Sequence, residues 1–510
     1  MVRRRGFLAA SLALPWLGGC APAPARRRDD VLRFGLAGPV RNLDPRLATD
    51  ATSARVNRLL YVPLVDFDAA SRPVPVLATW EQRDATRYRF TLGHGGRRFA
   101  DGQRLTAADV AATYRSVLDP ATASPHRATL SLIDAVEVLD ADRLEFRLQA
   151  PDPLFPAYLG VGILPAGLIE SGQGFQRVPV GSGTFRLLDW PEPGRLLLER
   201  RRDRQRFELV TVKDPNVRVM KLLRGEIDLL QNDLAPELVA FLRRRRGIRM
   251  ERIDGVNFSY LGFNLEDPAT GDPRVRRAVA HGIDREAVLR YLFRGGGRTA
   301  EAMFPPEHWA GAPELRGHLY DPAASRALLA DAGWSGERRL VLSYKTSSDP
   351  FRLRLATVIQ SQLAAVGIDL RIQSYDWGTF FGDIKAGRFQ LYGLTWVGIR
   401  TPDIFRYVFH SAALPPAGAN RGRYRSAVVD ALIEQAQQAP DPARRAALYR
   451  QLQARLHADL PYVPLWYEDQ FYAARDDIVG YHLAADGNYD GLDQVHVHGA
   501  EPSPSSRLIQ

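Results

Sequence analysis

Two hydrophobic rhythms divide the chain. In the first half the period is two. Tyr88, Phe90 and Leu92 alternate with Arg87, Arg89 and Thr91 inside the β-like stretch Trp80–Leu92, which puts one face of a strand in a core. Val31–Leu36 predicts the first strand, and Val136–Leu148 predicts a hairpin turning at Asp140–Asp142. Leu196–Glu199, Phe207–Val212 and Tyr260–Asn264 read as further strands. Helices interrupt them at Ser53–Leu60, at Val217–Arg224 and at Ala107–Leu118. The last begins with Thr106 and carries Asp109 three residues on, a capping box with Asp in place of Glu.

In the second half the spacing shifts to three and four. Asp272-Pro273, Asp321-Pro322, Asp349-Pro350 and Asp441-Pro442 each set a capping carboxylate before a proline suited to the first helical position. Leu355, Ile359, Leu363 and Val366 then share a helical face, and Leu448, Leu452 and Leu456 share another. Gly367 ends the first of these helices, and Ile368, Leu370 and Ile372 alternate as a strand. Tyr462–Tyr467 is extended after Leu460-Pro461. The C-terminal half is therefore α/β in character, and residues 63–178 are β-rich.

One stretch combines apolar and charged chemistry. Leu391–Val397 is an uncharged, β-prone run that Gly398 ends, and Pro402 prevents the strand from resuming. Trp396, Arg400 and Asp403 fall within eight residues. A flat apolar ring beside two opposite charges suits recognition of a polar organic ligand better than a catalytic centre. A core tryptophan beside a solvated Arg–Asp pair is the alternative.

With 510 residues, the chain needs more than one core. Its 45% hydrophobic and 25% charged residues are ordinary for a globular protein. Past the N-terminus no uncharged apolar run reaches the ~18–20 residues that span a bilayer. The N-terminus has Arg3-Arg4-Arg5, an apolar body from Gly6 to Leu17, then Leu17-Gly18-Gly19-Cys20, the pattern of an export signal. Arg4-Arg5-Gly6-Phe7-Leu8 resembles a twin-arginine signal, and Leu-Gly-Gly-Cys resembles the lipobox whose cysteine is acylated. Cys20 is the only cysteine, which excludes disulfides and thiolate chemistry elsewhere in the chain. Residues 20–30, with Ala21–Ala25 alternating Ala and Pro and then Arg26–Arg28, read as a tether basic enough to rest near anionic lipid.

The net charge of +10 falls to about +7 once the three signal-segment arginines are removed. Much of it sits in Arg200–Arg206 and Arg243–Arg246, without interleaved aromatics, so a solvated or membrane-facing surface is expected and nucleic-acid binding is not. Val180-Gly181-Ser182-Gly183-Thr184 lacks the lysine of a phosphate loop and the second glycine of a nucleophile elbow, and reads as a turn between domains. No nucleophile–base motif is visible, so no catalytic residue and no enzyme activity is expected, with a secreted hydrolase whose carboxylates only the fold brings together as the rival class. Of ten histidines only His496 and His498 are close, with no third ligand in view, so no metal site and no cofactor is assigned.

The order of motifs resembles the extracytoplasmic solute-binding proteins of peptide- and nickel-type ABC transporters, solute-binding family 5. Phe99–Pro120 (FADGQRLTAADVAATYRSVLDP) is similar to the family's F-x-D-G-x-P-L-T-A-x-D-V segment. Pro179–Phe185 (PVGSGTF) is similar to P-V-G-T-G-P-Y. Asp272–Val288 resembles D-x-x-V-R-x-A-[IL]-x-x-A-I-D-R, and Tyr320–Trp334 resembles Y-D-P-x-x-A-x-x-L-L-x-x-A-G.

The resemblance implies an α/β, two-lobed periplasmic-binding-protein fold (type II, cluster C) with a third, smaller β-rich domain. The implied division is 1–19 signal peptide, 20–30 tether, 31–62 and 179–262 lobe I, 63–178 small domain, 263–470 lobe II, and 471–510 the C-terminal segment of lobe I. It implies a periplasmic monomer, lipid-anchored through Cys20, that binds a small-molecule or oligopeptide ligand and serves an ABC permease and ATPase. A sensor or periplasmic chaperone would share the fold.

Ligand contacts implied by the resemblance are Asp50, Ala51 and Thr52; Tyr260 and Asn264; Lys345 and Thr346; and Trp396, Val397, Gly398, Ile399, Arg400 and Asp403. Peptide-binding relatives read roughly W-x-G-D-x-x-D-P at the last group, where the first Asp takes the peptide's α-ammonium. Here that position is Ile399, and Thr401 precedes Pro402. The amine anchor is missing from its place unless Asp403 or Asp50 substitutes, which points to a ligand without a free α-amine or with an anionic group. Lys345 is the nearest basic side chain to the position where some relatives hold the ligand's carboxylate.

Overall fold

A computed structural model describes residues 31–336 and 338–498. Cys20 and the export and lipobox-like segments lie outside the described residues.

Two long antiparallel strands organise the molecule. Ile248–Phe263 and Tyr462–Arg475 pair from Ile248 opposite Arg475 to Gly262 opposite Tyr462. One end of this ribbon belongs to lobe I. There Leu229–Gln231 pairs with Tyr472–Ala474, and Val31–Leu36 lies parallel to Leu229–Gln231 and to Arg206–Thr211. Arg195–Arg200 and Phe185–Glu192 complete that edge. The other end belongs to lobe II. Leu391–Trp396 pairs with Phe258–Phe263, then come Leu340–Ser347 and Ile368–Tyr375, which run parallel. The two halves form one 11-stranded sheet whose only shared members are the long pair.

The ribbon's register breaks between Ile253 and Asn257. Asp254-Gly255-Val256 therefore has no ladder partner on Tyr462–Arg475, and the sheet is weakest where it crosses between lobes. Gly255 is needed there: a Cβ would sit 2.0 Å from the Glu468 carbonyl oxygen. The sequence reading Tyr260–Asn264 and Tyr462–Tyr467 captures only the lobe II ends of these strands. The Asp254-Gly255 step and the polar Glu468–Gln470 interrupt the apolar pattern, although both segments stay extended.

Lobe II has a core on each face of its sheet. Leu261 and Phe263 pack with Val275, Leu355, Ile359 and Leu363 beneath the helices Pro273–His281 and Pro350–Ala365. Phe258 and Tyr260 face the helices Ile404–Phe409, Ala427–Gln438 and Pro442–Asp459. Asp272, Asp321, Asp349 and Asp441 each accept a backbone N–H in the first helical turn, as their Asp-Pro steps predict. Asp214-Pro215 starts Pro215–Leu223 in the same way.

Within 63–178, four antiparallel strands in the order Ala78–Gln82, Arg87–Leu92, Arg143–Leu148, Ile133–Val138 cover the helix Ala107–Leu118. Tyr88, Phe90 and Leu92 are the buried set. Asp109 accepts from the Thr106 N–H at 2.7 Å and ties the Ala166 N–H to the same helix start at 2.8 Å. Gly181 and Gly183 let the loop press on the end of the helix Ala51–Leu60. The Gly183 N–H donates to the Leu60 carbonyl at 2.8 Å, and a Cβ at either glycine would clash with that helix's backbone. Leu154, at the far end of this domain, packs into the lobe II core.

Candidate functional site

The strand Leu391–Trp396 ends where lobe II meets the N-terminal side of the molecule. Gly398 turns the chain with φ +68°, which glycine adopts without a side-chain clash, and its N–H points to Asn257 Oδ1 at 3.3 Å. The next residues cross the gap. Arg400 Nη1 lies 2.7 Å from Asp66, and Nη2 bonds Asp486 of the C-terminal segment. Asp66 also receives Arg58 at 2.6 Å, and Arg58 bonds Asp490. Burial lowers the Arg400 pKa, helped by the like charge of Arg58. Burial pushes Asp66 up, and the two arginines more than reverse it. Asp66 thus remains ionised, and the network holds lobe II against the opposite wall. Arg354–Glu237, at 2.7 Å, is a second ion pair between lobes.

The remaining predicted positions fall into groups. Val397 is exposed, and Ile399 packs against the lobe II core. Asp50 caps the helix Ala51–Leu60 by accepting the Ser53 N–H at 2.9 Å, Ala51 is exposed, and Thr52 is half-buried. Asp403 accepts the Thr401 hydroxyl. Burial, with Asp152 nearby, pushes its pKa up to about 6. Asp152 is itself raised by burial and accepts the Tyr158 hydroxyl at 3.1 Å.

Four of these side chains are spent on packing. Tyr260 is buried and stacks on Tyr462 with centroids 3.9 Å apart. Asn264 donates to the Phe389 carbonyl at 3.1 Å. Lys345 is paired with Asp383 at 2.6 Å, and Thr346 is only 2% exposed.

Trp396 is half-buried, and its Nε1–H is shut off from solvent without an acceptor. Arg421 lies under it, with its Cζ 4.8 Å from the Trp396 ring centroid and 5.1 Å from that of Phe381. Other polar groups line the hinge. Ser259 donates to Glu468 at 2.7 Å, and Arg352 of lobe II reaches the same carboxylate at 2.8 Å. Asn232 and Asp233 both hold φ of +55° beside the ribbon. Burial raises the Asp233 pKa, against Arg55 and Arg218.

Sequence reasoning missed Arg421, Asp66, Asp486 and Asp233. The contacts that join Asp66 and Asp486 to Arg400, and Arg421 to Phe381 and Trp396, span long stretches of sequence, and no local spacing marks them. Among the described residues no group of three or more His, Cys, Asp or Glu side chains is arranged to hold a metal ion. Nor is any helix there long and apolar enough to cross a membrane.

The profile of the bacterial extracellular solute-binding proteins, family 5, matches residues 45–413. Di/tripeptide-binding protein 2 of Pseudomonas aeruginosa (strain UCBPP-PA14) is 29% identical, over 95% of this chain and 98% of its own. The ABC transporter-associated periplasmic binding protein DppA of Helicobacter pylori, solved with the peptide STSA, superposes with a TM-score of 0.78 at 25% identity, covering 92% of this chain and 98% of that one. NikA of Brucella suis, solved with Fe(III)-EDTA, superposes with a TM-score of 0.83 at 22% identity, covering 92% and 100%.

Proposed function

This chain belongs to family 5 of the bacterial extracellular solute-binding proteins, and on that premise we propose that it captures a peptide or peptide-like solute between its lobes. It then delivers the solute to the permease of an ATP-driven importer, held at the membrane by an acyl chain on Cys20 and performing no chemistry on its cargo. The observation that carries the reading is the Arg400 bridge to Asp66 and Asp486, which joins the lobes beside Trp396. A solute touching both walls adds to that bridge and draws the population closed. A swing from 1:99 to 99:1 takes about 5.5 kcal/mol of differential binding.

A non-peptide solute is the second reading. It is favoured by Ile399, which leaves no carboxylate where a peptide amine would be anchored. Native mass spectrometry of the purified chain tests both. A retained mass matching a peptide supports the first, and one matching a glycan or chelate supports the second. Turnover of any retained compound would refute the binding role.

A further inference from the structure

We propose that Arg421, stacked between Trp396 and Phe381, is the receptor for a carboxylate or other anionic group of the transported solute. The inference rests on the solute-binding reading above and names the class of solute.

Arg421 is 8% exposed, yet no carboxylate pairs with it among the described residues. Its guanidinium makes one long hydrogen bond, from Nη1 to the Tyr260 hydroxyl at 3.4 Å, and lies against two aromatic faces. A guanidinium has five N–H donors in a planar fork, and one weak acceptor leaves most of them unmet. The ring faces supply attraction but no acceptor.

Two other buried arginines are satisfied by the chain itself. Arg200 pairs with Asp203 and three main-chain carbonyls, and Arg276 reaches carbonyls at both ends of its fork. Arg421 is not treated that way.

A second observation points to the same place. The Trp396 Nε1–H, on the ring that Arg421 underlies, is buried without an acceptor. Two donor groups of one stacked unit therefore wait for an acceptor that the protein does not provide. A buried cation without a counter-ion is costly. An anion with two oxygens removes that cost, and the planar fork favours carboxylate geometry over a spherical ion. The two ring faces cover part of the guanidinium, which lowers the local dielectric and strengthens a pair formed there. Trp396 ends the strand that leads into the Arg400 bridge, which places this unit beside the closing contact.

The test uses the purified chain, its R421Q and R421K variants, and matched probes. These are N-acetyl dipeptides with a free carboxylate, the same peptides as C-terminal amides, benzoate with benzamide, and free-amine dipeptides. Tryptophan fluorescence and melting temperature are read. We expect at least one carboxylate to bind about tenfold or more tighter than its amide. R421Q should abolish that preference and R421K should keep part of it. Without ligand, R421Q should melt no lower than the parent, because it removes an unmatched buried charge.

If amides bind as well as carboxylates, or R421Q keeps the preference, the Arg421 assignment falls and solute binding stands; free-amine dipeptides carry the same carboxylate, so binding of these that R421Q leaves intact overturns it too. A lower ligand-free melting temperature in both variants would make Arg421 a packing residue and also overturn it. If no probe binds, the assignment falls together with the peptide-like reading, and a retained non-peptide mass would still uphold solute capture.

Discussion

Arg400 of lobe II and Asp66 on the opposite wall lie 2.7 Å apart, and the same guanidinium holds Asp486. Removing it leaves Asp486 without its partner, while Asp66 keeps Arg58. In R400M the closed arrangement should lose on the order of 1–3 kcal/mol, the cost of leaving one buried carboxylate unpaired. Small-angle scattering of the ligand-free chain should show a larger radius of gyration in the variant. The parent should approach that value in molar salt, where exposed parts of the network are screened. An unchanged radius would mean that closure does not depend on this bridge.

The Ile399 side chain packs against the lobe II core, at the position where the resemblance to peptide-binding proteins implies an acid. Ile399→Asp rebuilds that acid at some loss of packing. Free-amine di- and tripeptides should gain affinity by about tenfold, the worth of one charge-assisted bond. Calorimetry checks this, with N-acetylated peptides as the series that should not gain. Equal gains for both series would show that the new acid meets something other than the amine.

How much of this was legible beforehand differs by element. The helix starts were open to view because Asp-Pro is a local signal, and each capping carboxylate needs only its own turn. Asp214-Pro215 carries the same signal and places the helix start two residues before the Val217 that hydrophobic spacing alone suggests. The hinge ribbon was hidden, since Ile253 pairs with Gln470 across more than two hundred residues and its polar middle interrupts the apolar pattern. At the site, the Trp396–Asp403 stretch was visible from composition. Arg421 sits in Asn420–Arg425, a run that looks solvated, and only the fold brings Trp396 and Phe381 around it. Lys345 looked free because nothing near it in sequence announces Asp383.

Asp403 has a pKa pushed up to about 6 by burial, above the ordinary carboxylate value. The folded state therefore disfavours its charged form. Above pH 6 the carboxylate is ionised in both folded and unfolded chains, and the fold bears a penalty on the order of 2–3 kcal/mol. As pH falls through 6 toward 4, the folded group takes up a proton first and the penalty disappears. Asp403→Asn should thus melt higher than the parent at pH 7.5, with the gap closing by pH 4. A gap that stays constant with pH would assign the effect to packing rather than to titration.

Gly255 sits in the unpaired step of the ribbon, where an added Cβ would lie 2.0 Å from the Glu468 carbonyl oxygen. That contact can be relieved only by moving one hinge strand away from the other. Glu468 carries the Ser259 and Arg352 bonds, so the shift would also disturb the link from lobe II to the hinge. Gly255→Val should therefore lower the melting temperature by an amount corresponding to about 1–3 kcal/mol, the usual cost of overpacking. It should also reduce the compaction that a bound solute produces in scattering. Gly255→Ala should do the same to a smaller degree. A valine variant that melts like the parent and compacts fully with ligand would show that the strands tolerate separation at this step. The hinge would then have to be sought where the register is continuous.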